Sequence, residues 1–192
     1  MSTTPQSPRH ERWIAPLVAA VVVLGVLGGV RGNRGPKWLE AASGAPRFEP
    51  GASVHPSAEE AMICAGYAKL VAAPGAEFTA PTSPGRWIGR GIGTHLTRGE
   101  LRLMTEERFV GRILAINAPQ ADVVATEGIF LVRAEGESTI VSVLTGTAHL
   151  LVAHGAPVDV GAGERAATGG GAAKKSALGP DDRAALERLR AL

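Results

Sequence analysis

The sequence predicts an all-β domain preceded by one N-terminal transmembrane helix and followed by a short C-terminal helix. Three observations predict it. Between Phe109 and Thr168 the side chains alternate with a period of two, and glycine-containing turn signals interrupt the alternation at short intervals, as in strands with one buried face. From Trp13 to Val30 eighteen residues run without a charge. Near the C-terminus Ala185, Leu186, Leu189 and Leu192 fall at i, i+1, i+4 and i+7, one narrow apolar stripe on a helix.

Within the alternating stretch, Ala121, Val123 and Ala125 lie between Asp122, Val124 and Thr126, and Phe130 and Val132 lie between Leu131 and Arg133. This reads as one long strand. The polar turn Ala134 to Glu137 then leads into a hairpin-linked strand over Thr139, Val141 and Val143. Thr145-Gly146 predicts a turn into a strand at His149 to Val152, His154-Gly155 a turn into Val158 to Val160, and Gly161 to Gly163 a turn into Glu164 to Ala167. Upstream, Tyr67 to Ala72 and Glu77 to Ala80 form the first strand pair, divided by Ala73-Pro74-Gly75. Ser57-x-x-Glu60 has the form of a capping box and predicts a short helix over Ala61 to Cys64. Pro81 to Gly85 is a loop, and Trp87 and Ile88 make an apolar contact on the rim of the domain.

Composition limits the function. The 192 residues are 45% hydrophobic but only 4% aromatic, with 25 glycines and 13 prolines, so the core is built from Val, Leu, Ile and Ala. Such a core suits a small β domain better than an enzyme with a deep pocket. Twenty basic residues stand against eighteen acidic ones, and no basic run is interleaved with aromatics. Nucleic acid is therefore not an expected partner. The single cysteine, Cys64, excludes an intrachain disulfide and a CxxC motif.

Residues 1–12 are polar and read as a disordered tail. As a helix, residues 13–30 reach roughly 27 Å, close to the roughly 30 Å hydrocarbon layer. Trp13 falls at the interface end. A cleaved signal peptide is the alternative, but Arg31-Gly-Asn-Arg34 lacks a small-x-small cleavage pattern. Arg9 and Arg12 precede the span while Arg31, Arg34 and Lys37 follow it, so charge slightly opposes an exported C-terminal domain. Residues 31–57 read as a flexible linker and 169–178 as a glycine-rich one. Residues 179–192 are the amphipathic helix, with Pro180 suited to its first turn and Asp181 and Asp182 at the positive end of its dipole. At about thirteen residues that helix is marginal alone and must dock, on its own β domain or on a partner.

Catalytic, cofactor and metal sites are all expected to be absent. Gly89-x-Gly91-x-Gly93 is followed by Thr94 to Gly99 without helical period, which disfavours a phosphate loop. His149 and His154 lie five apart, so on one strand they face opposite sides. The remaining histidines, His10, His55 and His95, have no ligand-like spacing. Glu59-Glu60 and Glu106-Glu107 read as solvated pairs, and no Gly-x-Ser-x-Gly elbow exists.

The order Ala118-Pro119-x-Ala121-x-Val123, Phe130-x-Val132, Thr139-x-Val141-x-Val143-x-x-Gly146-x-Ala148 and Val158-x-Val160-x-Ala162-Gly163-Glu164 resembles the FecR-type periplasmic sensor domain family. Leu96 to Leu103 fits that family's earlier hairpin. One departure is Glu127-Gly128-Ile129-Phe130, where the family has Gly-Thr-x-Phe, which puts the local turn or bulge in question. The resemblance covers the β domain, residues 58–168, and implies a small twisted, β-solenoid-like arrangement of short strands; a sandwich is the alternative. It further implies a non-enzymatic, single-pass protein of the bacterial inner membrane with the tail of residues 1–12 in the cytoplasm and the C-terminal domain in the periplasm. Such a protein senses or transduces an envelope signal, and its partner is a sigma-factor regulator or an outer-membrane protein. Twelve tail residues are too few for a sigma-binding helical domain, so the chain reads as a truncated relative. A non-catalytic envelope module binding glycan or protein is the other reading, with Tyr67, Trp38 and Trp87 as its aromatic candidates.

Overall fold

In the computed structural model, residues 39–41, 48–82, 91–153, 155–169 and 172–191 are described. They form twelve strands and a C-terminal helix. The short strands are β1 (Leu39–Ala41), β2 (Ser53–Val54), β3 (Glu60–Cys64), β4 (Ala68–Ala72) and β5 (Glu77–Thr79). Then come β6 (Gly91–Thr105), β7 (Ile113–Ala118), β8 (Ala121–Glu135) and β9 (Ser138–Val152). The last are β10 (Val158–Gly161), β11 (Glu164–Gly169), β12 (Ala172–Ala177) and helix α1 (Pro180–Ala191). The fold is mostly β, one large mixed sheet with a C-terminal helix.

The three fifteen-residue strands decide the shape. β6 pairs antiparallel with β8 through their C-terminal halves, Gly99↔Ala134 to Met104↔Ile129. β7, however, pairs in parallel with the N-terminal half of β6 and antiparallel with the N-terminal half of β8. In a flat sheet those two halves point away from each other, so a six-residue strand joins both only because the sheet bends and folds over itself. β9 follows the same bend. Its first half pairs with the C-terminal half of β8 and with β11, its second half with the N-terminal half of β8 and with β10.

The fold-over encloses one core. Leu70, Leu103, Phe130 and Val141 from one half pack in the same apolar cluster as Ile92, Ile116, Val123 and Leu150 from the other. In the N-terminal half of β8 burial alternates as expected, Ala121, Val123 and Ala125 inward. From Ile129 to Val132 four consecutive residues are buried, because α1 covers the second face. Val71, Ile129 and Leu131 meet Leu186 and Leu189 there. The helix thus docks on its own β domain, which supplies the packing that a twelve-residue helix lacks alone.

Several expectations are corrected. Thr145-Gly146 is not a turn. β9 runs through it, because Thr145 and Gly146 pair with Ile129 and Gly128 of β8, between two irregularities of the ladder. Leu96 to Leu103 is not a hairpin but the middle of β6. Ser57-x-x-Glu60 starts no helix: Met62 and Cys64 point into the core between Ala61 and Ile63, and β1 and β4 flank them as strands. Segments expected as linkers contain β1, β2 and β12, whose small or polar sequences are strands because a neighbour supplies hydrogen bonds. The segment 13–30 and the pair Trp87-Ile88 lie outside the described residues. Among the described residues, no helix is long and apolar enough to cross a membrane.

Candidate functional site

Where β8 and β9 bend beside the end of β6, the sheet carries an open cleft of about 340 Å³ lined by Thr105, Glu106, Glu107, Phe109, Val110, Glu127, Gly128, Thr145 and Gly146. Its floor is made by two glycines in register, Gly128 of β8 and Gly146 of β9. Both take positive φ, 135° and 83°. The backbone N–H of Gly128 donates to Thr105 Oγ1 at 2.8 Å, so the bend in β8 is tied to the last residue of β6. A short 3-10 turn, Glu107–Phe109, forms one wall and buries Phe109. Beside it Val110 is 83% exposed. Three carboxylates, Glu106, Glu107 and Glu127, thus line the cleft together with an exposed apolar side chain and glycine backbone. Gly128 lies between two irregularities of the β8–β9 register, one that leaves Thr126 of β8 unpaired and one that leaves Leu144 of β9 unpaired.

On the outer face of the sheet a second arrangement fastens α1. Arg102 Nη1 donates to Glu59 at 2.9 Å and its Nε to Glu100 at 2.7 Å. Arg133 donates from Nε to the other Glu100 oxygen at 3.0 Å and from Nη2 to Asp182 at 3.1 Å. Asp182, 7% exposed, also accepts from Ser142 Oγ at 2.6 Å. Partial burial opposes the charge on Arg102 and Arg133, but the adjoining carboxylates outweigh it and hold both guanidinium groups above their usual range. Sequence reading took Asp182 as a dipole partner and missed its role as an anchor. The available signal was Glu100 and Arg102 spaced i, i+2, hence on one face of a strand.

The other sequence-singled residues are dispersed. Cys64 is buried, and desolvation followed by the charge of Glu106 pushes its thiol up to about 12. His149 Nδ1 lies 2.6 Å from Asp159 on the outside of β9 and β10, and His154 lies outside the described residues. His55 is 3.9 Å from Glu77, which also accepts from Arg98 at 2.7 Å. Glu59 is not simply solvated but joins Arg102, and Glu60 belongs to β3. Tyr67 is partly buried against the core with the Arg112 guanidinium 4.4 Å from its ring centroid, so one ring face is already occupied. Trp38 lies outside the described residues. No group of three or more metal-capable side chains occurs among the described residues.

No family model and no curated protein sequence matches the chain. Its fold is similar to two crystal structures of a candidate anti-sigma factor from Parabacteroides distasonis. One has a TM-score of 0.54 and 20% identity, covering 66% of this chain and 59% of the other. The second has a TM-score of 0.55 and 18% identity, covering 66% and 60%. The chain therefore spans about six tenths of the length of those chains. At this identity the likeness is one of fold.

Proposed function

We propose that this chain is a single-pass, membrane-anchored, FecR-like protein whose β domain faces the periplasm and takes part in sensing an envelope signal that reaches a sigma factor through a partner. The observation that carries this reading is the fold shared with a candidate anti-sigma factor. It agrees with the ordered residue pattern from Ala118 to Glu164. Residues 13–30 supply the tether in this reading. The domain works by binding: the cleft at the bend offers carboxylates, an exposed valine and bare backbone. It is not an enzyme in this account.

The test is transcriptional. In the native host, deleting the gene is expected to change one coherent set of transcripts sharing one promoter class. The full chain restores them, and a chain lacking residues 13–30 does not. Altered envelope integrity without a coherent promoter class contradicts the proposal and favours a structural envelope module.

A further inference from the structure

Four strands pair on one side only among the described residues: β1, β2, β10 and β12. β12 is the longest, six residues against three, two and four. All its residues except Ala173 are exposed. Its register with β11 runs unbroken from Glu164↔Ala177 to Gly169↔Ala172, and it contains no proline. Such an edge presents a row of free N–H and C=O groups to any strand that comes alongside.

The side chains of β12 limit what that strand is. If a second copy pairs antiparallel about Lys174 or about Lys175, that lysine falls directly opposite its own counterpart in the other copy. Like charges directly opposite destabilise a ladder, so the sequence selects against self-pairing. The two lysines differ in state. Lys175 shares a face with Ala166 and reaches Glu164 at 2.6 Å. Lys174 lies on the opposite face, opposite Ala167, and has no carboxylate in ion-pair range among the described residues. Arg165 is on that same face and is ion-paired at 4.0 Å with Asp182, which Arg133 and Ser142 also hold. The free edge thus carries, at Lys174, a positive charge that no carboxylate among the described residues neutralises.

We propose that the open edge of β12 binds an extended, acidic segment of a partner protein as an added strand, with backbone hydrogen bonds giving affinity and a carboxylate opposite Lys174 giving selectivity. This rests on the reading of the domain as a partner-binding sensor, and names the surface and the partner chemistry.

The experiment uses the full chain in nanodiscs and two synthetic peptides of about ten residues, one alternating Glu with Val and one alternating Lys with Val. Affinity is read by fluorescence anisotropy, and the contact by amide exchange over 172–177. The Glu peptide is expected to bind, more weakly as salt rises, and to protect 172–177. Lys174→Glu is expected to weaken it roughly threefold to tenfold and to admit the Lys peptide, without changing the melting temperature. Absence of binding, protection confined to other strands, or a wild-type dimer protected over 172–177 overturns the proposal. Any of these results, with the transcriptional response of the deletion strain intact, overturns the edge assignment alone and leaves the sensing reading standing.

Discussion

Gly128 and Gly146 stand directly opposite each other across β8 and β9, each with backbone of the opposite strand where its own side chain would be. A Cβ on Gly128 overlaps the carbonyl oxygen of Thr145, and one on Gly146 overlaps that of Glu127. Both positions also take positive φ, so steric exclusion and backbone conformation demand glycine independently. This pair lets two long strands bend together, and the bend folds the sheet over its core. Gly128→Ala and Gly146→Ala are each expected to lower stability by about 3 kcal/mol or more, read as a shift in denaturant midpoint. A loss within about 0.5 kcal/mol, the range of neutral surface changes, contradicts the bend.

Phe130, 1% exposed, sits in the core just beyond the bend. Phe130→Ala leaves a cavity there and is expected to cost about 3 to 5 kcal/mol. An unchanged melting temperature contradicts its place in the core.

The docking of α1 separates from global stability. Leu186, fully buried, and Leu189, 1% exposed, provide its apolar contact, and Asp182 provides its polar one. Asp182→Ala removes the acceptor of Ser142 and a partner of Arg133, while Glu100 still holds that guanidinium. The expected cost is about 1 to 3 kcal/mol. It should appear first as faster amide exchange in residues 180–191, with β8 and β9 still protected. Uniform acceleration throughout the domain contradicts an independent helix anchor.

Cys64 gives a pH dependence. Its thiol is raised from 9.0 to about 12 in the fold by burial first and by Glu106 second. The unfolded thiol therefore ionises first. Above about pH 9 the unfolded state binds fewer protons than the folded one, and stability falls with rising pH by up to about 1.4 kcal/mol per unit until about pH 12. Below pH 9 this contribution is constant. Comparing the wild type with Cys64→Ala between pH 8 and 11 isolates it: the wild type should lose more stability over that window. Parallel curves contradict the shift.

How much of this was legible depended on whether a residue's environment was local. β8, β10 and β11 were visible because their side chains alternate in and out, and the stripe of Ala185, Leu186 and Leu189 marked the buried face of α1. Gly146 misled because a glycine after threonine signals a turn, and only the register with Gly128 across the ladder reveals a bend. β1 and β2 are too short to show a period and β12 is small and polar, so each takes strand conformation from a neighbour, which local propensity does not encode. The helix expected at Ser57 failed for the complementary reason, since capping chemistry is weak beside the burial of Met62 and Cys64 between two strands. Of the candidate site, the acidic pair Glu106-Glu107 was noticed, but its convergence with Glu127 and Val110 arises from the fold-over.

The most direct test of the central claim is the side of the membrane on which the β domain lies. In a Cys64→Ala background, Ser2→Cys and Ser176→Cys chains are treated with an impermeant thiol reagent in intact spheroplasts. Ser176 is exposed on β12. Labelling is expected at position 176 and not at position 2. Labelling at position 2 alone places the β domain in the cytoplasm, in line with the charges that flank residues 13–30, and contradicts the sensing function.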